Sequence, residues 1–361
     1  MILTLQFIGG LLTLIGGAEL LVKGSTRMAG GFGIPSLLVG LTVVAVGTSS
    51  PEIAVSLKAT LSGETDLTVG NIVGSNIANI LLILGVAAIA SPLEVKRRIV
   101  RQDAPILLGI SVLVYLLAFD GYLSYIEGSL LLILQVGYLV YVIKGARRAK
   151  DGLEESPSPV RADPRPAYTK GAVFIDLALA LGGLGLLVLG SGWLVDSAST
   201  LARMFGVSEL IIGLTLVAVG TSLPELATSI MAGLRGETDL AVGSAVGSNI
   251  FNLLLVLGLT AFLAPAAVHI APSALAFDFP VMLAAAAAAL PIFFTGYKVA
   301  RWEGYLFLGY YLAYCLYLYL DAAGHDLLPL FSRTMLWFVL PLTLITLAVI
   351  LWRERRIRAS A

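Results

Sequence analysis

The chain has little of what a soluble catalyst is built from. It holds one cysteine and two histidines in 361 residues, and only 13% of those residues are charged. The single cysteine, Cys315, excludes an intramolecular disulfide. With only His269 and His325 besides, there is no His/Cys set for a zinc site and no Ser-His pair for an intramembrane hydrolase, so no enzymatic role is expected. The formal net charge of zero says nothing about partners, since in a bilayer protein what matters is which loops hold the Lys and Arg; no nucleic-acid partner is expected. The first 22 residues lack a basic n-region and an A-x-A-like site, and read as a retained helix rather than a signal peptide. What the chain does have is hydrophobic residues, 58% of it, in long uncharged runs. Its solvent is a lipid bilayer.

Eleven runs are long enough to span: residues 3–22, 34–60, 66–91, 104–119, 124–143, 171–195, 207–233, 239–264, 278–296, 302–320 and 334–352. The polar, Pro-rich stretch 144–170 reads as a cytoplasmic linker. It separates a first five-helix unit, 1–143, from a second, 171–320, with an extra helix and a basic tail in 321–361. With the N-terminus outside, 20 Lys and Arg residues fall on the inner side and only Lys58, Arg203 and Arg333 outside. The positive-inside rule therefore places the C-terminus in the cytoplasm, and the plasma (inner) membrane is the expected location.

Residues 40–85 align without a gap on residues 213–258, with 32 of 46 positions identical. Five spans separate the copies, and an odd number of crossings inverts the second in the membrane. Inverted repeats with interrupted helices point to a site at the midplane between them. The interruption is written as GTSSPEIAVS at 47–56 and GTSLPELATS at 220–229. Pro51 cannot donate to the carbonyl four residues back, which predicts a bend and a released Gly47 carbonyl; Pro224 and Gly220 repeat the arrangement.

Helical spacing then gathers oxygens on one face. Thr48, Glu52 and Ser56 stand at i, i+4 and i+8, and Ser75 and Asn79 at i and i+4 of the next span. Thr221, Glu225, Ser229, Ser248 and Asn252 are their counterparts. An all-oxygen set favours hard cations, and tolerant geometry around two glutamates suits Ca²⁺ better than octahedral Mg²⁺. A carboxylate at membrane depth is costly and is usually functional.

The paired blocks, GTSSPE with GNIVGSNIAN and GTSLPE with GSAVGSNIFN, resemble the alpha-repeats of the calcium/cation antiporter superfamily, in its sodium/calcium exchanger branch. The resemblance implies an all-α, inverted-repeat antiporter fold of five plus five transmembrane helices, with the eleventh span extra. It implies Glu52 and Glu225 as central cation ligands, with backbone oxygens of Thr48 and Thr221 on Ca²⁺. Ser49, Ser75, Ser222 and Ser248, with the carbonyls of Ala45 and Ala218, would line flanking Na⁺ sites, and Asn79 and Asn252 would sit beside the central one. The implied activity is exchange of Na⁺ for Ca²⁺ with no cofactor beyond the transported ions. H⁺/Ca²⁺ exchange and a cation channel are the alternatives. Asn252 stands where relatives often carry an aspartate and potassium-dependent exchangers an acid, which argues against a K⁺ requirement.

Other features carry plainer expectations. Asn76 and Asn249 read as helix-bending hydrogen bonders, and Gly74 and Gly247 as packing positions. Thr or Asp of the repeated GETDL, at 63–67 and 236–240, reads as a helix cap. Gly9, Gly10, Gly16 and Gly17, with Gly182, Gly183 and Gly185, read as close-contact surfaces on which the first and sixth spans slide.

Overall fold

The structure is a computed structural model that describes residues 2–150, 169–204, 218–346 and 348–350. It is helical almost throughout. In chain order the helices are α1 (Ile2–Phe32), α2 (Ser36–Thr48), α3 (Ser50–Leu61), α4 (Thr65–Ala90), α5 (Ile99–Asp120), α6 (Tyr125–Lys150) and α7 (Lys170–Met204). There follow α8 (Ala218–Thr221), α9 (Leu223–Leu234), α10 (Thr238–Leu263), α11 (Ala274–Phe294), α12 (Arg301–Ala322) and α13 (Leu328–Ile350).

Among the described residues eight helices are long and apolar enough to cross a membrane, and nine when α2 and α3 count as one bent span. Two of the eleven expected spans fall short for identifiable reasons. The seventh is described only from Ala218 onward, because 205–217 lie outside the described residues. The tenth, α12, has the length, but six tyrosines between Tyr305 and Tyr319, with Asp321, lower its hydropathy. The linker residues 151–168 and the basic tail also lie outside the described residues.

The packing sorts core helices from lipid-facing ones. In α4 and α10 the apolar window is 78% buried, whereas in α6 and α7 it is 28% and 22%. The buried faces of α4 and α10, with Ile72, Ile77, Ile80, Val242, Ile250 and Leu253, form the centre. Around it Ile133, Val136, Phe174 and Leu181 stay exposed, as lipid contact requires. No residue of the α13 window is buried.

Glycines set two close approaches. A Cβ on Gly17 would lie 2.8 Å from the Gly183 carbonyl, and one on Gly183 would lie 2.5 Å from the Leu21 nitrogen. Gly10 and Gly190 meet in the same way one stage along. The expected glycine surfaces thus join α1 to α7 backbone to backbone. Gly16, Gly182 and Gly185 face open space instead, and Gly9 only approaches Trp193. Gly247 packs as expected, its would-be Cβ 2.8 Å from Leu41 Cα; Gly74 has nothing described within 4 Å.

The two GETDL stretches do not cap the following helices, because Glu64 and Glu237 occupy the caps without a side-chain bond. Their glycine has the structural role: Gly63 and Gly236 take φ of 82° and 76° and end α3 and α9 in left-handed turns. Asp239 instead pairs with Lys96 at 3.4 Å, and Asp66 Oδ1 lies 3.5 Å from His269 Nδ1.

Two strand pairs that the sequence reading missed join the halves. Leu93–Glu94 (β1) pairs antiparallel with Lys298–Val299 (β4), and Tyr122–Leu123 (β2) with Val268–His269 (β3). The kinship of the halves extends past the aligned block. Glu127 accepts the Ser124 N–H at 2.6 Å and Glu303 accepts the Ala300 N–H at 2.7 Å, at the starts of α6 and α12. The glycines that follow, Gly128 and Gly304, press on the backbones of α10 and α4 at Gly258 and Gly85.

Candidate functional site

Both proline-marked runs are broken. The α2–α3 bend is 44° and falls at Ser49, with φ −79° and ψ 9°; Ser222 repeats it with φ −91° and ψ 7°. Pro51 and Pro224 sit in the first turn of the continuing helix, where a missing N–H costs nothing. The Gly47 carbonyl is not left free as expected. Backbone N–H groups at the end of α2 reach both Gly47 and Ala45.

Each break ends in a serine at the N-cap position, and neither serine caps its own helix. They donate across the molecule instead. Ser49 Oγ donates to Glu225 Oε1 at 3.0 Å, and Ser222 Oγ donates to Glu52 Oε1 at 3.0 Å. Glu52 and Glu225 lie in the first turns of α3 and α9, where the positive end of the helix dipole favours a carboxylate. Each glutamate is therefore held by its own helix end and by the other copy's serine.

The remaining expected residues close around this pair. Ser75 Oγ donates to Glu52 Oε1 at 3.5 Å and accepts from Ser222 Oγ at 3.3 Å. Ser248 Oγ donates to the Ala45 carbonyl at 3.5 Å, which ties α10 to the other copy's break. Thr48 donates to the Val44 carbonyl of its own helix at 3.0 Å, and Thr221 donates to Asn71 Oδ1 at 3.2 Å. Asn79 Nδ2 donates to Asn249 Oδ1 at 2.8 Å. Ala218 opens α8, directly before the second break.

Asn76 and Asn249 divide. Asn76 donates to the Ile72 carbonyl of its own helix at 2.8 Å, as expected. Asn249 departs from the expectation: it accepts from Asn79 and donates to the Asn76 carbonyl at 3.2 Å, bridging the two copies. Tight packing of α4 on α10 brings these amides within reach of one another, which helix spacing alone does not show. The mirror bond from Asn252 to Asn76 is not made, and both amide atoms of Asn252 have no partner among the described residues. A π-helical turn starts at each site amide, over Asn79–Ile83 and Asn252–Val256. Such turns gather at functional sites and have no simple sequence signal.

The electrostatics are one-sided. Glu52 and Glu225 are both 1% exposed, and among the described residues no lysine or arginine is fully buried. Glu52 Oε2, Glu225 Oε2, Asn79 Oδ1 and Asn252 Oδ1 are buried oxygens without a described hydrogen-bond partner. Two carboxylates and two amide oxygens, with hydroxyls and broken-helix backbone around them, form a cradle that the protein does not itself neutralise. Asn71, which the sequence reading passed over, belongs to this shell. Its available signal is that the two copies differ there, with Ser244 as its counterpart.

A polytopic helical fold, two broken helices facing each other and an anionic oxygen cradle between them define a membrane transporter of cations. The sequence matches the model of the sodium/calcium exchanger protein family over residues 2–144 and 175–320, and the chain belongs to that family. It is 43% identical over 282 residues to the inner membrane protein YrbG of Escherichia coli, covering 78% of this chain and 85% of the relative. It is 32% identical over 340 residues to the sodium/calcium exchanger MaX1 of Methanosarcina acetivorans, covering 86% and 96%. Among solved structures it resembles the sodium-calcium exchanger NCX_Mj soaked with Na⁺ and Ca²⁺, with a TM-score of 0.73 and 30% identity over 86% of this chain and 97% of that one.

Proposed function

We propose that the chain exchanges Na⁺ for Ca²⁺ by alternating access, with Glu52 and Glu225 as the central ligands. The observation that carries the reading is the pair of fully buried carboxylates with no buried basic residue among the described residues to balance them. Two uncompensated charges in a low-dielectric interior cost several kcal/mol each, so the empty site resists being sealed from both faces. A bound Ca²⁺ cancels the pair, and two Na⁺ do the same. Movement is then favourable only when loaded, which is the physical content of obligatory exchange.

In this reading Ca²⁺ takes Glu52, Glu225 and backbone oxygens of Thr48 and Thr221. Na⁺ takes the flanking positions of Ser49, Ser75, Ser222 and Ser248 with the carbonyls of Ala45 and Ala218, and Asn79 and Asn252 border the centre. The serine hydroxyls that now donate to Glu52 and Glu225 can turn a lone pair to a cation once it neutralises the carboxylate. The N-terminus lies outside and the C-terminus inside the plasma (inner) membrane, supported by the basic residues crowded onto one set of loops.

The test is purified protein in liposomes. Uptake of ⁴⁵Ca²⁺ driven by an outward Na⁺ gradient is the expected result. Uptake that ignores Na⁺ and follows a pH gradient would replace the reading with H⁺/Ca²⁺ exchange, and a leak without a gradient of either would replace it with a channel.

A further inference from the structure

The two copies of the repeat are alike at the carboxylates and unlike in the shell behind them. In α4, Asn71 is buried and bridges two hydroxyls. Its Nδ2 donates to Ser56 Oγ at 2.9 Å, and its Oδ1 accepts from Thr221 Oγ1 at 3.2 Å. Ser56 is on α3, the helix that starts with Glu52, and Thr221 closes α8 at the second break. One amide thus ties a site helix of the first copy to the broken backbone of the second.

The chain of bonds continues toward the Gly63 loop. Thr68 Oγ1 donates to the Ser56 carbonyl at 3.2 Å and lies 2.9 Å from Thr60 Oγ1, which in turn donates to the Ser56 carbonyl at 2.8 Å. The half of the molecule between the site and that loop is cross-linked by hydrogen bonds.

Among the described residues the second copy has no such chain. Ser244 replaces Asn71, Gly233 replaces Thr60 and Ala241 replaces Thr68. A serine hydroxyl is shorter than an amide and cannot donate and accept across the same gap. The outcome is visible: Ser229 Oγ and Ser244 Oγ are buried without a described partner.

From this we infer that Asn71 is a positioning residue for transport that fixes Thr221 and Ser56 and so sets the cation affinity seen from the face bearing the Gly63 loop, but not from the opposite face. The inference rests on the exchange reading above. Opening the site toward Gly63 separates the elements that Asn71 joins, whereas opening toward Gly236 leaves the bridge in place.

The experiment is Na⁺/Ca²⁺ exchange in liposomes with the apparent KM for Ca²⁺ measured from each face. The Gly63 face is located by membrane-impermeant labelling of Ser62→Cys in a Cys315→Ala background. Asn71→Ser, which makes the copies alike, should shift the KM on the Gly63 face by roughly three- to tenfold, the scale of a lost buried hydrogen bond, with the opposite face changed by less than about twofold. Asn71→Ala should behave alike, and adding Ser56→Ala to it should cost little more, because the bond is already gone. Equal shifts on both faces, or a loss of maximal rate with neither KM changed, would overturn the assignment and leave Asn71 a packing residue. If Asn71→Ser does not fold, Asn71→Ala and Ser56→Ala decide by the same sided criterion. A wild-type protein that fails to exchange overturns the functional reading instead, so the two failures are separable.

Discussion

Exchanging one glutamate for glutamine is the most direct perturbation of the site. In Glu52→Gln the amide oxygen can still accept from Ser222, 3.0 Å away, so the fold keeps its local bond. What changes is the atom in place of Oε2, which has no described partner and is buried. An amide nitrogen there directs a donor at a cation and removes one of the two buried charges. Breaking a buried charge pair costs about 3–5 kcal/mol, which lowers Ca²⁺ affinity by between about two and nearly four orders of magnitude. Glu225→Gln should fall by a similar factor, because Ser49 holds Glu225 at the same 3.0 Å. The assay pairs Ca²⁺ titration calorimetry of detergent-purified protein with Na⁺-driven ⁴⁵Ca²⁺ uptake, after gel filtration shows a monodisperse peak. Wild-type flux in either variant would refute the ligand assignment. A tenfold disparity between the two would refute the equivalence of the two halves.

Four further outcomes follow from named contacts. Ser49→Ala and Ser222→Ala should each destabilise the cation-free protein by about 1.5–3 kcal/mol, the worth of a hydrogen bond to a charged group; melting curves should show equal losses that saturating Ca²⁺ largely restores. Gly17→Leu and Gly183→Leu place atoms within 2.8 Å of the opposing backbone and should cost about 1–3 kcal/mol or more along with transport, whereas Gly16→Leu and Gly182→Leu face open space and should leave both near wild type. Removing residues from 332 onward should leave exchange intact, since no residue of the α13 window is buried. Adding K⁺ should not stimulate Ca²⁺ uptake by the unmutated protein, because Asn252 supplies no third carboxylate; strong stimulation would overturn that reading.

Much of the fold was legible because a bilayer simplifies the code. Uncharged runs show the spans, and a gapless internal match shows the duplication. The break regions were legible too, since Pro51 and Pro224 mark the first turns of the helices that continue after them. What stayed hidden depends on contacts between distant segments. The crossing of Ser49 to Glu225 and Ser222 to Glu52 needs the docking of two inverted halves, and spacing along one helix cannot show it. Asn249 looked like a local hydrogen bonder because its own helix offers a carbonyl four residues back, and only the proximity of α4 and α10 sends it to Asn79 and Asn76. The GETDL loops misled in the opposite direction. Thr and Asp are good caps in general, yet the left-handed turns at Gly63 and Gly236 take the structural role and leave Asp239 to pair with Lys96 and Asp66 to face His269. The shared motif at Glu127-Gly128 and Glu303-Gly304 was missed because the sequences around it have drifted, while the cap and the close approach have not.

The reciprocal bonding at the centre says why two copies are needed at all. Neither half can satisfy its own glutamate with its own N-cap serine, because each serine points to the other half's carboxylate. The site therefore exists only at the junction, and any motion that parts the halves there must break both bonds together. Each is worth about 1.5–3 kcal/mol, so parting the halves with the site empty exposes two carboxylates and forfeits both donors at once. A cation between the carboxylates replaces those donors with its own field. In the proposed exchange, cross-donation would thus couple the ion to the movement through two bonds that a cation can substitute for and an empty site cannot.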